Sequence, residues 1–424
     1  MQIVETFGQC IEHWSDAHPE RARRTLCLGW EAQNLKNKFL PDKRLTRADQ
    51  QLAVIMMNAM LEPLKKPESS AIVSIFTPCE LLQEVGLNPY NMEGMSCYLS
   101  ASHTERGCLQ QAENTGISET LCSYHKTFLG AAGRGLLPRP NCIIYTNLTC
   151  DANLVTFRRL AEQYGAPAFS IDVPMQQTPE NVAYVADQLR KLADFLQQTT
   201  GRKIDPESLR QRVQRSRRTL QRFRECQQAK ADRYLPTDLV SPLYCGMVNN
   251  ILLGTPQVEA YMDRLLEAIR QAPPAKGKRI YWMHTIPFWS DAVRHSLSFS
   301  DKAQIVGCEL AQVYDPEESI DDPYEAMAHR MVFNALNGSA VRRIEAGIRH
   351  AKETGADGVV WFNHWGCKHT LGAAQLAKKK FEEQGLPLLI LDGDGCDRSH
   401  GGEGQTSTRL EAFLEMLEEG ENEA

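Results

Sequence analysis

Apolar runs alternate with amphipathic stretches along most of this chain, and that alternation sets the first expectation. AIVSIFTP (71–78) is a strand signal that stops at proline and leads into the helical ELLQEVGL. CIIYTNLTC (142–150), followed by the helical ANLVTFRRLAEQYG, is a second, and APAFSIDVP (166–174) a third. Beyond a helical middle, RIYWMHTIPFW (279–289), CELAQVY (308–314), DGVVWFNHWGC (357–367) and LPLLILDGDGC (386–396) repeat the theme, with helices predicted at 323–354, 370–384 and 407–419. Strand signals separated by helical ones predict βαβ units and parallel sheets. The expected fold is α/β with two open parallel sheets. A first domain is expected over 71–176 and a second over 278–424, with a helical N-terminal segment (1–70) and a helical linking region (177–277).

Charge narrows the partners. The arginine- and glutamine-rich DPESLRQRVQRSRRTLQRFRECQQAKAD (205–232) reads as a solvated or domain-bridging helix, because acidic residues around it cancel its charge. The formal net charge of −6 gives no basic footprint for nucleic acid. No apolar run approaches the roughly 20 residues of a membrane helix. The opening MQIVETFGQC has no basic stretch followed by an apolar core, so a cytoplasmic protein is expected.

Thirteen cysteines then demand a use. An odd count in a large chain argues against a disulfide framework. Cys10, Cys27, Cys142, Cys226, Cys245 and Cys308 fall inside apolar periodic patterns and read as small core hydrophobes. Cys79, Cys150, Cys367 and Cys396 instead follow strand ends, and Cys122 sits in the loop-like LCSYHK. Ligands collect beyond the carboxyl ends of strands in open α/β sheets, and thiols placed there suit metal ligation or nucleophilic work. Neither a CxxC pair nor the compact ferredoxin spacing occurs. Spacing alone leaves an iron–sulfur cluster, zinc, a reactive thiol and core packing all open.

A set of motifs goes further. FTPCELLQEVGLNPY, LCSYHKTFLGAA, TNLTCDANLVTFRRLA with its IDVP, NHWGCKHTLGAAQLAKKK, and LDGDGCDRSHGGEGQTSTRLEAFLEML occur in that order over 70–176 and 325–418. Together they resemble the 2-hydroxyacyl-CoA dehydratase / benzoyl-CoA reductase family. The resemblance implies two facing Rossmann-like domains and a [4Fe–4S] cluster on Cys122, Cys150 and Cys367. Cysteine in TPCE and in DGDGCD departs from the common dehydratase pattern and resembles the double-cubane members, whose [8Fe–9S] cluster would draw on Cys79, Cys396 and, as sixth ligand, Cys108. A core cysteine on the helical ERGCLQQAEN is the competing reading for Cys108.

The neighbourhood suits an anionic centre. Asp151 or Asn153 can cap the helix after Cys150, while Lys368 and His369 open the one after Cys367. His364, Lys126, His125 and His284 lie in the same strand-end region as candidate proton donors, with a hydrogen-bonded loop residue the plainer alternative for each. Asp392, Asp394 and Glu403 mimic a calcium loop, yet Asp397 occupies the position that needs glycine. GAAGRG and GGEGQTST lack the GK[ST] of a P-loop. The resemblance therefore implies a separate ATP-dependent iron–sulfur activator, a homodimer and a small-molecule substrate. A reductase with a double cubane is the expected function, with a single-cubane dehydratase subunit and a non-catalytic electron carrier as its rivals.

Overall fold

The structure, a computed structural model, describes residues 2–314 and 320–422. Among them are two four-stranded sheets in which every neighbouring pair is parallel. β1 (Ser70–Val73), β2 (Asn88–Asn91), β3 (Cys142–Thr146) and β4 (Ala168–Ile171) lie in the order β2-β1-β3-β4. β5 (Lys278–Met283), β6 (Ala303–Cys308), β7 (Gly358–His364) and β8 (Leu388–Gly393) repeat it as β6-β5-β7-β8. Two open parallel sheets are what the apolar alternation predicts.

Details differ for physical reasons. NPYN was not legible as a strand, because proline and asparagine are poor strand formers. It pairs as the edge strand β2, Ser70↔Asn88 through Val73↔Asn91, where a missing N–H is tolerated. No strand forms over the expected 308–314: β6 lies just before it, at Ala303–Cys308, and a 3-10 turn (Glu309–Ala311) follows. The helix expected over 323–354 breaks into Pro323–Val332 and Ala340–Glu353. Gly338 at φ +103° turns the chain there, and the Ser339 hydroxyl accepts from Arg342 N to start the second helix.

The linking region holds the helices Pro179–Thr200, Pro206–Ala229, Val240–Ile251 and Pro256–Gln271. Thr178 and Asp205 cap the first two, each with proline in its first turn. Several arginines of Pro206–Ala229 are engaged as the charge balance predicts: Arg212 on Glu84, Arg218 on Glu259, Arg222 on Asp263. These helices, the N-terminal ones and the first sheet share one apolar core running from Leu26 and Met56 through Ile144 to Leu189 and Tyr261. The second sheet buries both faces separately. Trp282, Phe362 and Phe413 pack on one, Tyr281, Trp361 and Phe381 on the other, following the two-residue period of a strand. No described helix is long and apolar enough to cross a membrane.

Strand order reverses between β1 and β3 and again between β5 and β7. Loops leaving such a switch point diverge and open a crevice beyond the strand ends. Both crevices receive chemistry.

Candidate functional site

Cys122 precedes the helix Ser123–Gly133, Cys150 lies between β3 and the helix Ala152–Tyr164, and Cys367 follows β7. The structure brings these three together. Each sulfur faces a different imidazole: Cys122 Sγ lies 3.2 Å from His364 Nε2, Cys150 Sγ 3.8 Å from His125 Nε2, and Cys367 Sγ 3.7 Å from His284 Nε2. The His284 and His364 rings stack at 5.8 Å. Burial above all, then the negative charges of Cys367 and Cys150, pushes the Cys122 thiol up. Burial also lifts Cys150, to about 11, although the N–H groups of Ala152 and Asn153 at its helix start act against it. The three thiols are near enough to act on one another as charges.

Gly366 makes this closeness possible. Its φ is +78°, and a Cβ there would stand 2.7 Å from the Cys122 Cα and N. Only glycine lets the turn after β7 lie against the Cys122 loop of the other sheet. Ser123 Oγ donates to Asp394 Oδ1 at 2.6 Å, and Tyr124 Oη meets Thr285 Oγ1 at 2.8 Å, so the seam around the sulfurs is closed by paired polar groups. Arg343 and Glu309 form a buried ion pair beneath Cys367, and Glu309 Oε2 also accepts the His284 N–H.

The other expected residues fare differently. Cys79 donates to Thr77 O at 3.2 Å and is buried beside the Glu80–Arg330 pair. Cys108 is buried where its helix crosses Gly130 and Arg134, with burial lifting it to about 12. Cys396 contacts Thr127 Oγ1 and Ser96 O, and Cys97 acts on it electrostatically more than any other charged neighbour. Cys79, Cys108 and Cys396 thus have different hydrogen-bond and charge partners. The Lys126 ammonium is buried in a pair with Glu113 at 2.7 Å and donates to Glu119 O. His369 is exposed and bonds to the Thr149 backbone, tying the Cys367 turn to the Cys150 loop. Asp151 makes no side-chain cap, and Asn153 reaches back to Thr146 O. Cys10 is exposed, not a core thiol.

Two residues escaped the sequence reading. Glu93 and Cys97 stand four apart on the helix Met92–Ala101, hence on one face, just past β2. Burial raises the Glu93 carboxyl to about 7 despite hydrogen bonds from Ile75 N and Asn91 Nδ2, and Cys97 bonds to Tyr124. Glu93 also acts electrostatically on Cys150 and Cys97. The carboxylate sits at the carboxyl end of a strand, the position that marks a site, but that strand was invisible in the sequence.

A sequence model described as 2-hydroxyglutaryl-CoA dehydratase, D-component, matches residues 74–417. The chain belongs to that family. It is 23% identical over 382 residues to lactoyl-CoA dehydratase subunit alpha of Anaerotignum propionicum, covering 80% of this chain and 89% of the relative. It is 21% identical to (R)-phenyllactyl-CoA dehydratase alpha subunit of Clostridium sporogenes, covering 90% and 98%, and 21% identical to a benzoyl-CoA reductase subunit of Thauera aromatica, covering 74% and 80%. It is an enzyme of the 2-hydroxyacyl-CoA dehydratase family.

The donor set fits a cluster of this family. Among the described residues no three His, Cys, Asp or Glu side chains close tightly around one point, as a single ion requires. Thiolates at separate corners of a cubane stand further apart than ligands of one ion, and these three come singly from three loops.

Proposed function

We propose that this enzyme holds a [4Fe–4S] cluster on Cys122, Cys150 and Cys367 and acts, as a 2-hydroxyacyl-CoA dehydratase component, on a CoA thioester in the crevice between its sheets. The convergence of those three thiols carries the reading. The printed activities of the relatives support the thioester. Such a cluster would supply low-potential electrons and, at the iron without a cysteine, a Lewis acid for an oxygen of the substrate. Electrons would come from a separate ATP-dependent iron–sulfur activator, in keeping with a chain that has no P-loop. A cytoplasmic homodimer is the proposed assembly.

The chain's own groups would divide the remaining work. Glu93, held by Ile75 N and Asn91 Nδ2, can take or return a proton on the Cys150 side near neutral pH. Gly366 and the paired seam residues hold the sulfurs in place and exclude water.

A double-cubane [8Fe–9S] reductase is the second reading. Cys396 beside Cys97 favours it, since a second thiol pair flanks Tyr124. Cys79 lies beside Glu80 and Arg330 and Cys108 beside Arg134.

Anaerobic purification with iron and sulfide analysis is the test. About four irons per chain, lost on Cys122→Ser, Cys150→Ser or Cys367→Ser, supports the first reading, and about eight the second. Zinc without iron overturns both. A reducible cluster with no turnover of acyl-CoA substrates, hydrazine or acetylene would instead make the chain an electron carrier, and a related co-purifying polypeptide would replace the homodimer.

A further inference from the structure

The three sulfur–imidazole pairs are not equivalent, and the difference lies in which ring nitrogen carries the proton. At His364 the backbone N–H of Gly395 donates to Nδ1 at 3.1 Å. A nitrogen that accepts an N–H cannot also bear a proton, so the ring's proton belongs on Nε2. That nitrogen faces Cys122 Sγ at 3.2 Å. Asp394 offers no competing tautomer. Its Oδ1 already accepts from Ser123 Oγ, Cys396 N and Asp397 N, and it stands 4.0 Å from His364 Nδ1.

Gly395 is held where it must be. A Cβ on it would lie 2.6 Å from Tyr124 Oη and 2.8 Å from Thr285 Cγ2, so only glycine brings its N–H onto the ring. His364 is 1% exposed, so neither ring nitrogen faces bulk solvent.

At His125 the logic runs the other way. Thr156 Oγ1 lies 2.8 Å from Ala152 O, and because a carbonyl cannot donate, that contact uses the hydroxyl's one proton. The hydroxyl oxygen must then accept from His125 Nδ1, 2.9 Å away. His125 therefore turns a bare Nε2 toward Cys150.

We infer that His364 is a fixed N–H donor to the Cys122 sulfur, a positioning residue that sets the electron density of that thiolate, and not a source of protons for the substrate. The tautomer stands on this chain's geometry, while its consequence for a cluster rests on the function proposed above. An N–H aimed at a ligating sulfur stabilises added negative charge and so raises the reduction potential of the centre.

Two measurements test this, and they fail separately. In the metal-free full chain labelled with [15N]histidine, two-bond proton–nitrogen correlation spectra report each tautomer, and the signals lost in His364→Gln assign the residue. A protonated Nε2 and bare Nδ1 at His364, with the reverse at His125, is expected. A protonated Nδ1 at His364 overturns the inference whatever metal the protein binds. In the anaerobically purified protein, His364→Phe keeps a planar ring without the donor and should lower the potential, while His364→Gln, which keeps an N–H near the same point, should restore most of it. An unchanged potential at full iron content in His364→Phe also overturns it. If wild type itself holds no iron, the cluster assignment fails and the spectra still decide the role of His364. Should only the phenylalanine variant lose its iron, the spectra again decide.

Discussion

Glu309 and Arg343 meet in a bidentate pair, Nε to Oε1 and Nη2 to Oε2 both at 2.6 Å, buried beneath the Cys367 turn. Arg343 also donates to His369 O and lies over the Trp361 ring, 4.7 Å from its centroid. The pair thus joins the end of β6, the helix Ala340–Glu353 and the turn after β7. Glu309→Gln leaves a guanidinium without its counter-charge and should cost about 3–5 kcal/mol in urea unfolding. The double change Glu309→Leu with Arg343→Met should recover most of that, because it removes both charges.

Gly366→Ala tests the meeting of the two sheets directly. The new methyl would enter at 2.7 Å from the Cys122 backbone, in a conformation with φ of +78°. A stability loss of about 1–3 kcal/mol is expected from strain alone. Iron recovered after anaerobic reconstitution should fall further than stability does, since Cys122 and Cys367 are forced apart.

Lys126→Met removes the buried ammonium from Glu113, which is itself partly exposed and can be rehydrated. Melting should drop by a few degrees, the equivalent of about 1–3 kcal/mol. Iron per folded chain should stay at the wild-type value. Turnover per folded chain should stay there too, whereas a proton donor facing the cleft would lose it.

Glu93 gives a pH signature. Burial holds its carboxyl at about 7 in the folded chain, above its value of about 4.3 in an unfolded one. The native state therefore keeps the proton longer, and ionising it weakens folding. At this position stability declines as pH rises from about 4 to about 7 and stays reduced above that. Glu93→Gln should exceed wild type by about 1–3 kcal/mol near pH 8, with the gap closing near pH 4.5, as read from urea midpoints.

Cys79→Ser and Cys108→Ala separate thiols that pack from thiols that bind. Both should cost stability, on the order of 1–2 kcal/mol, because each is buried among apolar neighbours. Neither should change the iron content, whereas Cys396→Ser should halve it only if a second cubane sits beside Cys97.

The order of strands and helices was determined by the chain itself, since apolar runs such as CIIYT and GVVWFNH and caps such as Thr178 act within a few residues. The strand-end cysteines were legible for the same local reason. Their partners were not. Cys122 and His364 are 242 positions apart, and they touch only because two sheets of matching order turn their switch points toward each other. Sequence grouped Lys126 with the histidines, yet side-chain direction on the helix Ser123–Gly133 sent it to Glu113. Glu93 stayed hidden because β2 takes its form from pairing with β1 rather than from its own residues. The proton on His364 lies furthest from sequence, because it depends on one backbone N–H from Gly395, placed by packing between Tyr124 and Thr285. Local periodicity sets the elements, while convergence at a site is a property of their packing.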